Sequence, residues 1–292
     1  MSNVPYEQVS SLAAEPAAAL SASDPAAYSG LRTRGAPPAL RSDPWNLLQL
    51  ALAKGCPLMN STSNIAPQPA VEAAGPWTQS LWDAGAQTAA EIQDSRFVRA
   101  LLDGTLDDAR FTFYLAQDAL YLAGYARALA ALSARCDHAP DQLAWAQASV
   151  GCLTEEAQLH RTWMAARPEA ADEPASTVTA AYTDFLLAAA LGQDRAVGAA
   201  AVLPCFWLYA QVGACLPTVE PDHPYAAWLE TYRDPDFVAA TAAALERVER
   251  ELAQSSESGR AAAQRAYLAG CRHELAFFDQ ALTQDQSETI PR

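Results

Sequence analysis

Apolar residues recur along most of this chain at intervals of three and four, the spacing that lines one face of an α-helix. From Pro76 onward this pattern predicts helices over 77–93, 95–103, 108–134, 141–166, 176–191, 196–216, 225–231, 235–255 and 258–283. A capped turn falls at 106–108 and a proline-bearing loop at 168–174. The punctuation agrees with the periods. Asp222-His223-Pro224 opens a short helix, and Asp234-Pro235-Asp236 offers an N-cap followed by a proline at the first helical position. No stretch alternates β-branched and polar residues for long enough to make a strand. The fold class is therefore all-α, a bundle of seven to nine helices without a fixed internal repeat.

Residues 1–75 read differently. They are rich in Ala, Ser and Pro, with Pro37-Pro38 and a polar run from Asn60 to Asn64. One short helix is expected over 44–54, with Asp43 as its N-cap, Pro44 at its first position and Gly55 as its stop. The rest has linker composition. The organisation expected is an accessory extension over 1–75, partly disordered, a helical domain over 76–285 and a tail over 286–292. One helical stretch, 196–219, contains no Asp, Glu, Lys or Arg and is long enough to cross a bilayer. Pro204, Gln211 and its many alanines favour the core helix of a soluble bundle instead.

Composition narrows the partners. Lys and Arg total 19 against 34 Asp and Glu, a net charge of -15, and no basic cluster exists to displace counterions from a polynucleotide or to dock on an anionic membrane. The single lysine, Lys54, lies in the extension, so a Schiff-base mechanism has no amine in the helical domain. Thirteen glycines form neither a dinucleotide fingerprint nor a phosphate loop. Six scattered cysteines without a CxxC pair suit a reduced, cytoplasmic protein, and Met1 to Pro5 has no features of a secretory leader.

In a helical bundle a small-molecule site is built from side chains that project inward from facing helices. Three helices carry a reactive group inside an apolar stripe. Tyr114, Asp118, Tyr121 and Tyr125 share one face; Cys205 and Tyr209 stand one turn apart just after Pro204; Tyr267, Cys271, Glu274 and Phe278 share another face. Each has a bland alternative: an Asp satisfied by its neighbours, a cysteine filling the core, a Glu one step off the stripe and exposed. Metal binding finds less support. Glu156 and His160 have i, i+4 ligand spacing, but His138, His223 and His273 are poorly placed to supply a second pair. No metal is expected.

Several segments resemble the TenA (thiaminase II) family. They are FVRALLDGTLDDARFTFYLAQDALYL from Phe97, GCLTEEAQLH from Gly151, LPCFWLYAQVG from Leu203, PYAAWLETY from Pro224 and RHELAFFDQA from Arg272, in the family's order. The resemblance implies the heme-oxygenase-like TenA fold and a hydrolase of thiamine salvage. Its substrates are 4-amino-5-aminomethyl-2-methylpyrimidine or thiamine, cut at the methylene carbon to give the hydroxymethyl pyrimidine. It implies Cys205 as nucleophile and Glu274 as the proton-transfer group, with Asp118, Tyr121, Tyr182, Tyr209 and Tyr232 binding the pyrimidine. In that scheme Tyr232 bonds to the catalytic carboxylate. The family also implies no cofactor and a homotetramer. Two features depart from it: Phe277-Phe278 where Phe-Trp is common, and the extension. Two other readings stay open, a non-catalytic pyrimidine- or thiamine-binding regulator and a same-fold oxidase using a di-metal site or an organic cofactor.

Overall fold

A computed structural model describes residues 67–165, 173–215 and 222–283, together with every side chain in those ranges except those of 155–162, 164 and 165. The expected helix at 44–54, the rest of 1–66 and the tail beyond 283 lie outside the described residues. So do the side chains of Glu156 and His160. The described residues belong to one compact unit and contain nine helices and no strand. In chain order these are α1 (Pro76–Asp94), α2 (Arg96–Leu102), α3 (Asp108–Ala134), α4 (Ala139–Ala165), α5 (Thr177–Gly192), α6 (Arg195–Ala214), α7 (Ala226–Thr231), α8 (Pro235–Gln254) and α9 (Glu257–Thr283).

Local chemistry sets most of the boundaries. Ser95 separates α1 from α2, and its side chain accepts from the Val98 amide at the start of α2. The Asp107 carboxylate accepts from the Ala109 and Arg110 amides and so starts α3. Ser176 does the same for α5 through the Thr179 amide, and Asp234 caps α8 ahead of Pro235. α4 begins two residues earlier than its apolar period suggests, because Ala139 and Pro140 already belong to its first turn, where a proline is tolerated.

The bundle is organised around α6. It packs against α9 and α8, while α3 lies between α4 and α5, and α1 covers α9. Every residue of α6 from Ala196 to Gly213 is buried except Cys205. This helix is long and apolar enough to cross a membrane, but its uncharged surface is spent on the interior of the bundle. Gly270 on α9 lets it approach α6 closely. A Cβ there would sit 2.8 Å from Pro204 Cγ and 3.0 Å from the Ala201 carbonyl oxygen.

Residues 67–75 are part of this body. Trp82 Nε1 donates to the Pro67 carbonyl at 2.8 Å, the Ala70 amide donates to Gln211 Oε1 at 2.6 Å, and Trp207 Nε1 donates to the Val71 carbonyl at 2.8 Å. The Glu249 carboxylate on α8 accepts from the Trp77 and Thr78 amides and the Thr78 hydroxyl, supplying the N-terminal cap that Gly75 lacks. The change in composition at 76 thus marks where helix begins, while packing onto the bundle begins at least nine residues earlier.

Candidate active site

Four helices and the end of a fifth bring the singled-out side chains together. Pro204 has no amide to continue the α6 ladder, and Cys205 follows it. This side chain is the one partly exposed member of a buried run. One turn on, the Tyr209 hydroxyl lies 3.0 Å from that of Tyr114 on α3. Tyr125, further along α3, donates to the Val202 carbonyl at 2.9 Å and so ties α3 to α6 just before the proline.

Glu274 on α9 is completely buried. Its Oε1 accepts from the Tyr182 hydroxyl of α5 at 2.6 Å, while Oε2 has no hydrogen-bond partner. The alternative of an exposed Glu beside the stripe is thereby removed. Burial pushes its carboxyl up to about 8; the Tyr182 bond opposes this, and the nearby charge of Asp118 adds to it. Glu274 therefore keeps its proton at neutral pH.

Asp118 is buried on α3 among the aromatic residues of its stripe. Its charge is felt at Tyr114, Tyr209 and Glu274, which places the carboxylate within electrostatic reach of all three. The Tyr114, Tyr121, Tyr182 and Tyr209 phenols are all pushed well above their ordinary range, first by burial. Cys205 contributes to the shift at Tyr114, Tyr121 and Tyr182, so the thiol lies within electrostatic reach of these phenols.

Aromatic rings pack around these groups. Tyr121 packs on Tyr182 with ring centres 4.8 Å apart and on Phe277 at 5.3 Å. The Tyr121 hydroxyl is buried and approaches the Tyr182 phenol without completing a hydrogen bond of good geometry. Tyr232, the C-cap of α7, packs its ring on Tyr209 at 4.8 Å and on Trp228 at 4.7 Å. The phenol on Glu274 Oε1 is that of Tyr182 rather than Tyr232. Phe278 packs on Tyr209 at 5.2 Å and lies parallel to Tyr114 at 6.0 Å.

The seven residues that the family resemblance implies thus gather in one linked cluster. Two further residues contribute to the cluster. Tyr114 was visible in the α3 stripe, but its pairing with Tyr209 depends on how α3 meets α6. Trp228 gives no signal beyond its apolarity. Unlike Cys205, the thiol of Cys271 on α9 is buried; it is pushed up to about 12, chiefly by burial, and is chemically quiet. Among the described residues no group of three or more His, Cys, Asp or Glu side chains is arranged to hold a metal ion.

Known proteins resemble this chain in sequence and in fold. The chain is 45% identical over 243 residues to the thiamine biosynthesis multifunctional protein ThiED of Corynebacterium efficiens, covering 82% of this chain and 33% of that protein. It thus spans about a third of the length of that relative. It is 30% identical over 211 residues to an aminopyrimidine aminohydrolase of Halalkalibacterium halodurans, covering 70% of this chain and 91% of that one. Among solved structures, a TenA homologue from P. horikoshii superposes with a TM-score of 0.64 at 28% identity, covering 70% of this chain and 97% of that one. The model of the TENA/THI-4/PQQC family matches residues 87–284, from the middle of α1 to the end of α9, and the chain belongs to that family.

Proposed function

We propose that this protein is an aminopyrimidine hydrolase of the thiamine pathway, acting on 4-amino-5-aminomethyl-2-methylpyrimidine or on thiamine by addition of Cys205 to the ring. The observation that carries this reading is the setting of Glu274: fully buried, bonded by Tyr182, pushed up to about 8 by burial, and clustered with Asp118 and a partly exposed thiol.

The chemical obstacle is that an amine leaves poorly from an unactivated methylene. Addition of the Cys205 thiolate to a ring carbon breaks aromaticity, and Glu274 passes its proton to a ring nitrogen so that the ring accepts the electron pair. Ring electrons then expel the protonated amine as ammonia, breaking the methylene C–N bond. Water adds to the methylene carbon and gives up a proton to the Glu274 carboxylate. Loss of the thiolate restores the ring, and the proton released from the ring nitrogen leaves with ammonia as ammonium. Asp118 orients the ring by accepting from its 4-amino group. The Tyr121 hydroxyl and Glu274 Oε2, both buried with bonding capacity to spare, suit the polar edge of a bound heteroaromatic. Tyr121, Tyr182, Tyr209 and Tyr232 supply flat walls that exclude bulk water.

The test is a comparison of ammonia release from the aminomethyl pyrimidine with thiazole release from thiamine. Turnover of either, with the hydroxymethyl pyrimidine as product, supports the reading. Tight pyrimidine binding without any product would refute it in favour of a binding protein. We further propose a homotetramer. Leu143, Val150 and Leu153 support it, lying exposed along one side of α4, and a monomer by light scattering would oppose it.

A further inference from the structure

The Tyr182 phenol bonds Glu274 directly and tunes its protonation, so whatever fixes Tyr182 bears on the chemistry. Two rings hold it. Tyr121 lies at 4.8 Å with a 31° tilt, and His273 lies at 4.9 Å, almost parallel at 5°. His273 is itself braced by Phe185, one turn further along α5, at 5.0 Å. Two successive residues of α9 therefore engage one tyrosine: His273 covers the face of the ring, and Glu274 receives its hydroxyl proton.

We propose that His273 is a positioning residue, its flat imidazole holding the Tyr182 ring so that the phenol stays on Glu274 Oε1. The inference rests on the proton-transfer role assigned above to Glu274. The groups facing the imidazole are Tyr182 and Phe185 from α5, with Arg272 and Glu274 beside it on α9. Burial, and then the Arg272 charge, lower its pKa and favour the neutral ring. The stack is one of neutral rings, and a phenylalanine can replace the imidazole in it.

Removing this wall frees Tyr182 to turn away from the carboxylate. The phenol stabilises the charged form of Glu274, so its loss makes Glu274 keep its proton to higher pH. A hydrogen bond to a charged group corresponds to an upward movement of roughly one pH unit or more. The experiment is a carboxyl-carbon NMR titration of protein labelled with 13C at the glutamate side chain, the Glu274 signal being identified by its loss in Glu274→Gln.

In His273→Ala the midpoint of that signal moves up, and in His273→Phe it stays at the wild-type value. An unmoved midpoint in His273→Ala would overturn the proposal, as would equal shifts in the two variants. Should His273→Ala fail to fold, His273→Leu, of comparable bulk but without a flat face, takes its place with the same two outcomes. An upward shift in a protein whose Glu274→Gln variant still turns over would support the positioning role and remove the catalytic use of Glu274.

Discussion

Replacing Glu274 with glutamine should stabilise this protein at alkaline pH. The amide keeps the size of the carboxyl and still accepts from Tyr182, but it cannot ionise. In the folded state Glu274 titrates near 8, whereas in the unfolded chain it returns to about 4.5. Between those values the unfolded state sheds a proton that the folded state retains, so the wild type loses stability as pH rises through this window. At 1.36 kcal/mol per pH unit the full window corresponds to ~5 kcal/mol, and the part above pH 5.5 to about 3 kcal/mol. The assay is urea unfolding of both proteins at pH 5.5 and pH 9, where the difference between them cancels every other titration in this acidic chain. The glutamine variant should gain about 3 kcal/mol on the wild type between the two pH values. A difference that stays constant within about 0.5 kcal/mol would mean that Glu274 is not held protonated by burial. That result would remove the acid from the proposed mechanism.

Two further outcomes follow from the same packing. Gly270→Ala should cost roughly 1–3 kcal/mol in denaturant unfolding, because the new methyl meets the rigid Pro204 ring and a backbone carbonyl; an unchanged midpoint would show that α6 and α9 have room to spare. Iodoacetamide at neutral pH should label Cys205 well ahead of Cys271, which is buried and shifted up to about 12; equal labelling by peptide mass mapping would contradict the assigned environments.

The helices of this fold were legible because their boundaries are written in local chemistry. Ser95, Asp107, Ser176 and Asp234 act as the caps their residue types suggest, and the 3.6-residue period carried the rest. Asp118, Cys205 and Glu274 stood out as polar or reactive residues inside apolar stripes, and the fold gathers them. The Tyr182 phenol could not be found that way. The buried face of α5 comprises Thr179, Tyr182, Leu186, Ala189 and Ala190, and a tyrosine in such a stripe looks like core. Its importance comes from a carboxylate on another helix 92 residues away. The packing of 67–75 was hidden for a related reason. Irregular backbone has no period, and its anchors, Trp82, Trp207 and Gln211, lie on distant helices.

The central claim is that the Cys205 thiol does chemistry on a pyrimidine that the rest of the site holds. It is tested most directly by single-turnover ammonia release from 4-amino-5-aminomethyl-2-methylpyrimidine, with Cys205→Ser beside the wild type and pyrimidine binding measured on both. Binding retained with release all but abolished in the serine variant is the predicted result. Release at a near-wild-type rate from Cys205→Ser would contradict the covalent scheme.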